Sequence, residues 1–194
     1  MCLRDRKMNQ KRKIEVVKYD PNWVKDFDNL SQVITGSLGN LIIGVEHVGS
    51  TSVPGLAAKP IIDLDVVIDS RDCLPEVVRH LELLGYEHEG DLGIEGREAF
   101  KRNGQDVPYS DRIDTWVQHH LYVCERNNEE LIRHIRFRNY LRNNPKQALA
   151  YGKLKYQLAE RFPYDINAYV KGKQNLIEEI LAKAASTAKT IAKY

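Results

Sequence analysis

Three cysteines in 194 residues are too few for a disulfide scaffold, and Cys2, Cys73 and Cys124 share no metal-ligand spacing. Free thiols are the default reading, and with them a cytoplasmic setting. No uninterrupted apolar segment approaches the ~18 residues that a membrane-spanning helix requires. The opening stretch MCLRDRKMNQKRK is charged and has no apolar run behind it. It is read as a disordered basic arm over residues 1–13, not as a signal peptide. Aromatic residues make up 8% of the chain, and they do not alternate with basic ones as a single-stranded nucleic-acid platform would need. Nucleic acid is therefore not the expected ligand. Internal repeats and low-complexity tracts are also absent.

What is present is an ordinary soluble composition, 42% apolar and 29% charged. The length suits one domain, or one domain with a helical extension. The net charge of +2 hides an asymmetry. Residues 1–128 hold 16 basic and 21 acidic residues, whereas residues 129–194 hold 13 basic and 6 acidic. A basic C-terminal third thus stands beside an acidic N-terminal part, an arrangement suited to facing phosphates or simply to a solvated helical face.

The chain is organised around VEHVGSTSVPGLAAKPIIDLDVV, Val45 to Val67. An apolar run ends in Gly49-Ser50, a Gly/Pro/Ser segment follows, and a second apolar run carries Asp63 and Asp65. Alternation in a strand projects both carboxylates from one face. Side by side, they repel and raise each other's pKa unless something positive lies between them. Converging oxygen ligands suit a hard cation, Mg²⁺ or Mn²⁺. A solvent-facing edge strand is the plainer account, but the flanking Ile61, Ile62, Leu64, Val66, Val67 and Ile68 read as covered on both faces. Gly49, Ser50 and Thr51 present backbone N–H groups and hydroxyls suited to phosphate oxygens. Lys59 stands just before the aspartate strand, where it can offset charge or meet a phosphate.

These residues resemble a known arrangement. Gly-Ser, twelve residues, then Asp-x-Asp is similar to the core of the nucleotidyltransferase superfamily, in which Gly-Ser opens a helix beneath the triphosphate and the aspartates hold metal. The wider match, through IEVVKYDPNW, VEHVGSTSVPGLAAKPIIDL, HHLYV and HIRFRNYLRNNP, resembles the GrpB family from Ile14 to about Lys183. The resemblance implies an α/β (α+β) fold: a nucleotidyltransferase-like mixed-sheet core over residues 14–125, with a C-terminal helical part, residues 126–194, packed on it. It also implies a nucleoside triphosphate or another phosphorylated small molecule as ligand. A fusion of some relatives to the coenzyme A synthesis kinase suggests an accessory role near a phosphorylated cofactor. The family's Tyr-x-x-x-Lys-like stretch finds its nearest match in Tyr169 and Lys173.

The remaining elements follow from pattern. Asp20-Pro21 starts a helix striped with Trp23, Phe27, Leu30 and Ile34. Strands are expected at 41–48, 61–68, 97–102 and 117–124, and helices at 72–84, 129–141, after Asn144-Pro145, and after Asp165. A short edge strand or extended arm is expected at Ile14–Tyr19. His120 belongs to the list because the HHLYV strand is expected beside the aspartate strand. No acid lies within 117–124, so the third carboxylate of two-metal chemistry is lacking. Arg138 is expected to reach inward as a phosphate clamp.

Two functions remain open on these grounds. One is metal-dependent nucleotidyl transfer, with Asp63, Asp65 and His120 catalytic, Asp63 and Asp65 holding metal, and Gly49, Ser50, Thr51, Lys59 and Arg138 binding the phosphates. The other is a non-catalytic module that binds a nucleotide or phosphorylated cofactor. Nothing in the sequence decides whether a protein partner or a second copy of the chain takes part.

Overall fold

A computed structural model describes residues 12–191, with side chains through Ser186. The arm read over residues 1–13 falls outside them except for Arg12 and Lys13, and so do Cys2 and the last three residues of the tail. Five strands form one mixed sheet in the order β1-β2-β5-β4-β3. They are β1 (Gly44–Val48), β2 (Ile62–Ile68), β3 (Tyr86–Gly90), β4 (Arg97–Arg102) and β5 (His119–Glu125). Strand β2 is an interior strand, antiparallel to β1 and parallel to β5. Its apolar run is explained by helices on both sides of the sheet.

One face is covered by α1 (Asn22–Leu38) and α2 (Leu74–Leu83). The α1 stripe of Trp23, Leu30, Ile34 and Leu38 packs in the same cluster as Leu64, Val66, Leu121 and Val123. Burying each such aliphatic side chain contributes roughly 1.5–3 kcal/mol before entropy is counted. The opposite face carries Asp63, Asp65 and Val67 and lies under α3 (Glu129–Asn143), where Leu131 and Ile135 meet Val67 and Cys124. Helices α4 (Pro145–Arg161) and α5 (Ile166–Ile191) complete the helical part. They pack with α3 around Leu141, Ala148, Tyr151 and Ile180, and reach back to Val53 and Leu56 of the loop between β1 and β2.

Several expected boundaries shift. Residues 14–19 form an extended arm with one bridge, Val17 to Ala58, and not an edge strand. The segment ahead of β1 ends in a 3-10 turn at Gly39–Leu41, which shortens that strand from its N-terminal side. Asn128 caps α3 through its side chain, accepting from the Glu130 and Leu131 N–H groups.

Candidate functional site

Register decides which side chains meet. Asp63 stands opposite Val48 on β1 and His120 on β5, and Asp65 opposite Glu46 and Tyr122. Both carboxylates leave the same face of β2, yet their surroundings differ. Asp65 is fully buried, at 0% exposure, whereas Asp63 borders an open cavity.

Asp65 is held by α3. His134 Nδ1 is hydrogen-bonded to Asp65 Oδ2 at 2.7 Å, and its Nε2 lies 3.2 Å from Glu130 Oε1. A carboxylate at each ring nitrogen favours the imidazolium form. Burial alone would lower the His134 pKa, but the hydrogen bonds to Asp65 and Glu130 outweigh it and raise it to about 9. Burial likewise pushes the Asp65 carboxyl up, and the His134 hydrogen bond pulls it back. Asp65 Oδ1 has no hydrogen-bond partner among the described residues. Arg97 extends along the same face, with its guanidinium 4.3 Å above the Tyr122 ring.

Asp63 faces a different environment. Its Oδ1 accepts from His120 Nδ1 at 2.9 Å. Around it a cavity of about 200 Å³ is lined by Ser50, Lys59, Ile61, His120, Lys155, Tyr169 and Lys173. Three lysines from a loop, α4 and α5 therefore meet one carboxylate. Lys155 is 2% exposed, and its Nζ makes no hydrogen bond among the described residues, although it lies 4.7 Å from the Tyr151 ring centroid. Burial and then the neighbouring Lys173 lower its pKa to about 7, against the pull of Asp63. Lys173 is lowered to about 8 by burial and then Lys59, again with Asp63 opposing. The Tyr169 hydroxyl is pushed up to about 12 by burial.

The Gly49-Ser50 turn is built differently from the expected helix start. Residues Ser50–Ser52 form a single 3-10 turn and no helix follows. One turn carries little dipole, so the positive potential here comes from lysine side chains. Gly49 has φ +68° and ψ −169°, a region essentially reserved for glycine, and a Cβ there would overlap the Asp63 carboxylate. Gly49→Ala is therefore expected to cost about 1–3 kcal/mol in urea denaturation and to displace Asp63. A variant as stable as the native chain would contradict this packing.

The structure thus brings together Ser50, Lys59, Asp63 and His120, with Gly49 packed behind the carboxylate. It separates three residues from the cavity lining. Thr51 is buried, donating to the Ile61 carbonyl and lying 3.0 Å from His47 Nε2. Burial keeps His47 neutral, with its pKa lowered to about 4. Asp65 is enclosed under α3. Arg138, expected as a phosphate clamp, donates from Nη1 to Glu46 Oε2 at 2.6 Å and to the His47 carbonyl at 2.9 Å. It ties α3 to β1. Arg142 has a similar task, bonding the Ser52 carbonyl through Nε and Nη2.

Lys155 was missed in the sequence, although a signal existed. Ala148, Tyr151, Lys155 and Leu158 recur at helical spacing on the buried side of α4, and one of the four is a lysine.

The fold is a five-stranded mixed sheet with a C-terminal helical extension. The profile of the family described as GrpB protein matches residues 13–183, and the chain belongs to that family. Among relatives, UPF0157 protein YqkA of Bacillus subtilis is 36% identical over 168 residues, which are 87% of this chain and 46% of that protein. The chain therefore spans less than half the length of that relative. UPF0157 protein BH1888 of Halalkalibacterium halodurans is 36% identical over 174 residues, covering 90% of this chain and 84% of the relative. The crystal structure of the conserved protein GrpB from Enterococcus faecalis superposes with a TM-score of 0.73 at 37% identity, covering 87% of this chain and 98% of that one.

Proposed function

We propose that this chain binds the phosphate end of a small phosphorylated molecule, foremost a nucleoside polyphosphate, in the cavity between β2, α4 and α5. The observation that carries the reading is the buried, unpaired Lys155 Nζ, with Lys59 and Lys173 around a single carboxylate. Burying an uncompensated ammonium is costly, and a cluster of them is costlier. A polyphosphate supplies both the negative charge and the acceptor oxygens that the cluster lacks. Ser50 adds a hydroxyl, while Asp63 and His120 close one wall and fix each other's orientation.

Titration calorimetry with inorganic tripolyphosphate and with nucleoside triphosphates tests this. An anion in the cavity favours charged Lys155 and Lys173 and raises their lowered pKa values. Binding is therefore expected to take up protons between about pH 7 and 9, read as a dependence of the apparent enthalpy on buffer ionisation enthalpy. Affinity is expected to fall as the pH rises beyond 8. Absence of binding at pH 7 by the native chain would defeat the reading.

A second reading, nucleotidyl transfer, is favoured by one observation: Asp63 and Asp65 share a face, and Asp65 Oδ1 is unpartnered. A Mg²⁺ or Mn²⁺ ion would be held by Asp63 and that oxygen, and would supply positive charge against a triphosphate. The donor set falls short of a two-ion centre, because His120 and Tyr122 occupy the neighbouring positions of β5. Among the described residues, no group of three or more His, Cys, Asp or Glu side chains is placed to hold a metal ion. The chain's own residues therefore support binding and charge compensation more directly than transfer. Pyrophosphate release that requires Mg²⁺ and is lost in Asp63→Asn would establish the transfer reading instead.

A further inference from the structure

The lysine cavity, at about 200 Å³, is smaller than the ~300–1,000 Å³ of a typical small-molecule site, so it takes only one end of a ligand. A second cavity of about 460 Å³ adjoins it, and Lys59 and Ile61 line both. Its character is different. Pro60 and Ile61 come from the segment just before β2, Ile14 from the N-terminal segment, Tyr164 from the connection between α4 and α5, and Ile166 from the start of α5. Gln118 and Asn167 supply carboxamides.

We infer that this adjoining cavity is the nucleobase subsite of the ligand whose phosphates occupy the lysine cavity, an inference that rests on the phosphate-binding reading above. Three features point to a flat, heteroaromatic body. Tyr164 is 55% exposed and makes no ring contact among the described residues, so one face of its ring is open for stacking. The carboxamides of Gln118 and Asn167 make no side-chain hydrogen bond within the described residues. Each offers a donor and an acceptor, the pair needed to read the edge of a base. Asp165, by contrast, is already engaged, accepting from the Ala168 N–H at 3.0 Å. The Tyr164 loop is also anchored: the Ile14 N–H donates to the Pro163 carbonyl at 2.8 Å, which holds the N-terminal segment and the α4–α5 connection on the same side of the cavity.

Calorimetry with the full chain at pH 7 tests the subsite, with inorganic tripolyphosphate and the four ribonucleoside triphosphates as probes. At least one nucleoside triphosphate is expected to bind about tenfold or more tightly than tripolyphosphate. Tyr164→Ala is expected to remove that advantage while leaving tripolyphosphate affinity unchanged, as a surface residue outside the lysine cavity should. Gln118→Ala/Asn167→Ala is expected to flatten any preference among bases. If tripolyphosphate binds but all nucleoside triphosphates match it and Tyr164→Ala changes nothing, the subsite is overturned and the phosphate reading stands. If tripolyphosphate does not bind the native chain, the phosphate reading fails and the subsite fails with it.

Discussion

Lys155→Met is expected to yield a protein that is more stable than the native chain and unable to hold phosphate. Methionine preserves most of the volume and all of the apolar stem, so the packing against Tyr151 is largely kept. What disappears is an ammonium that is 2% exposed and has no hydrogen-bond partner among the described residues. The pH dependence fixes the sign. The folded pKa of Lys155 is lowered from 10.5 to about 7, so between those values the unfolded chain binds more protons and native stability rises with pH. The penalty is whole below pH 7 and fades toward pH 10.5. The variant's excess stability is accordingly largest at pH 6, on the order of a few kcal/mol, and small at pH 10. Urea denaturation across this range measures it. Binding of tripolyphosphate is expected to weaken at least a hundredfold in the same variant. Lower stability at pH 6, or unchanged binding, would show that Lys155 has a partner other than a ligand.

His134→Leu is expected to have the largest destabilising effect of any single change in the helical part. It would leave the fully buried Asp65 carboxylate without its imidazolium, and breaking a buried pair from one side costs about 3–5 kcal/mol. Here the pH dependence runs the other way. The folded pKa of His134 is raised from 6.5 to about 9, so its contribution is complete below pH 6.5 and is lost as pH rises through 9. The gap between native and variant denaturation curves should therefore narrow between pH 6.5 and 9.5. Comparing the two proteins cancels the opposing slope from Lys155 and Lys173, which both retain. The double variant Asp65→Leu/His134→Leu should recover most of the loss, because an apolar pair of similar volume removes both charges together. A single variant that unfolds at the native urea concentration would show that Asp65 is not ionised in the fold.

These two residues mark what a linear reading reaches. The alternation of β2 and the paired aspartates on one face are local facts of period and spacing, and they are found as expected, whereas the Gly-Ser turn before them is a single 3-10 turn and not a helix start. The helices fall close to their expected bounds for the same reason, since cap residues and apolar stripes lie within a few residues of one another. The assignment of charge partners is not local. Asp65 meets His134 across 69 residues, and Arg138 meets Glu46 across 92. Arg138 on its helix looks as free to reach a phosphate as to bind a carboxylate. Only the placement of α3 over β1 decides between them.

The sequence by itself determined the sheet-forming core, the face that carries both carboxylates and the family to which the chain belongs, because each depends on periodicity or on a contiguous motif. Tertiary structure alone decided that Asp65 is enclosed with an imidazolium while Asp63 opens onto lysines. It also decided that Lys155 and Lys173, from two different helices, meet there with Lys59. The physical reason is that charge compensation depends on distance and burial, and both are set by how α3, α4 and α5 fold back onto the sheet.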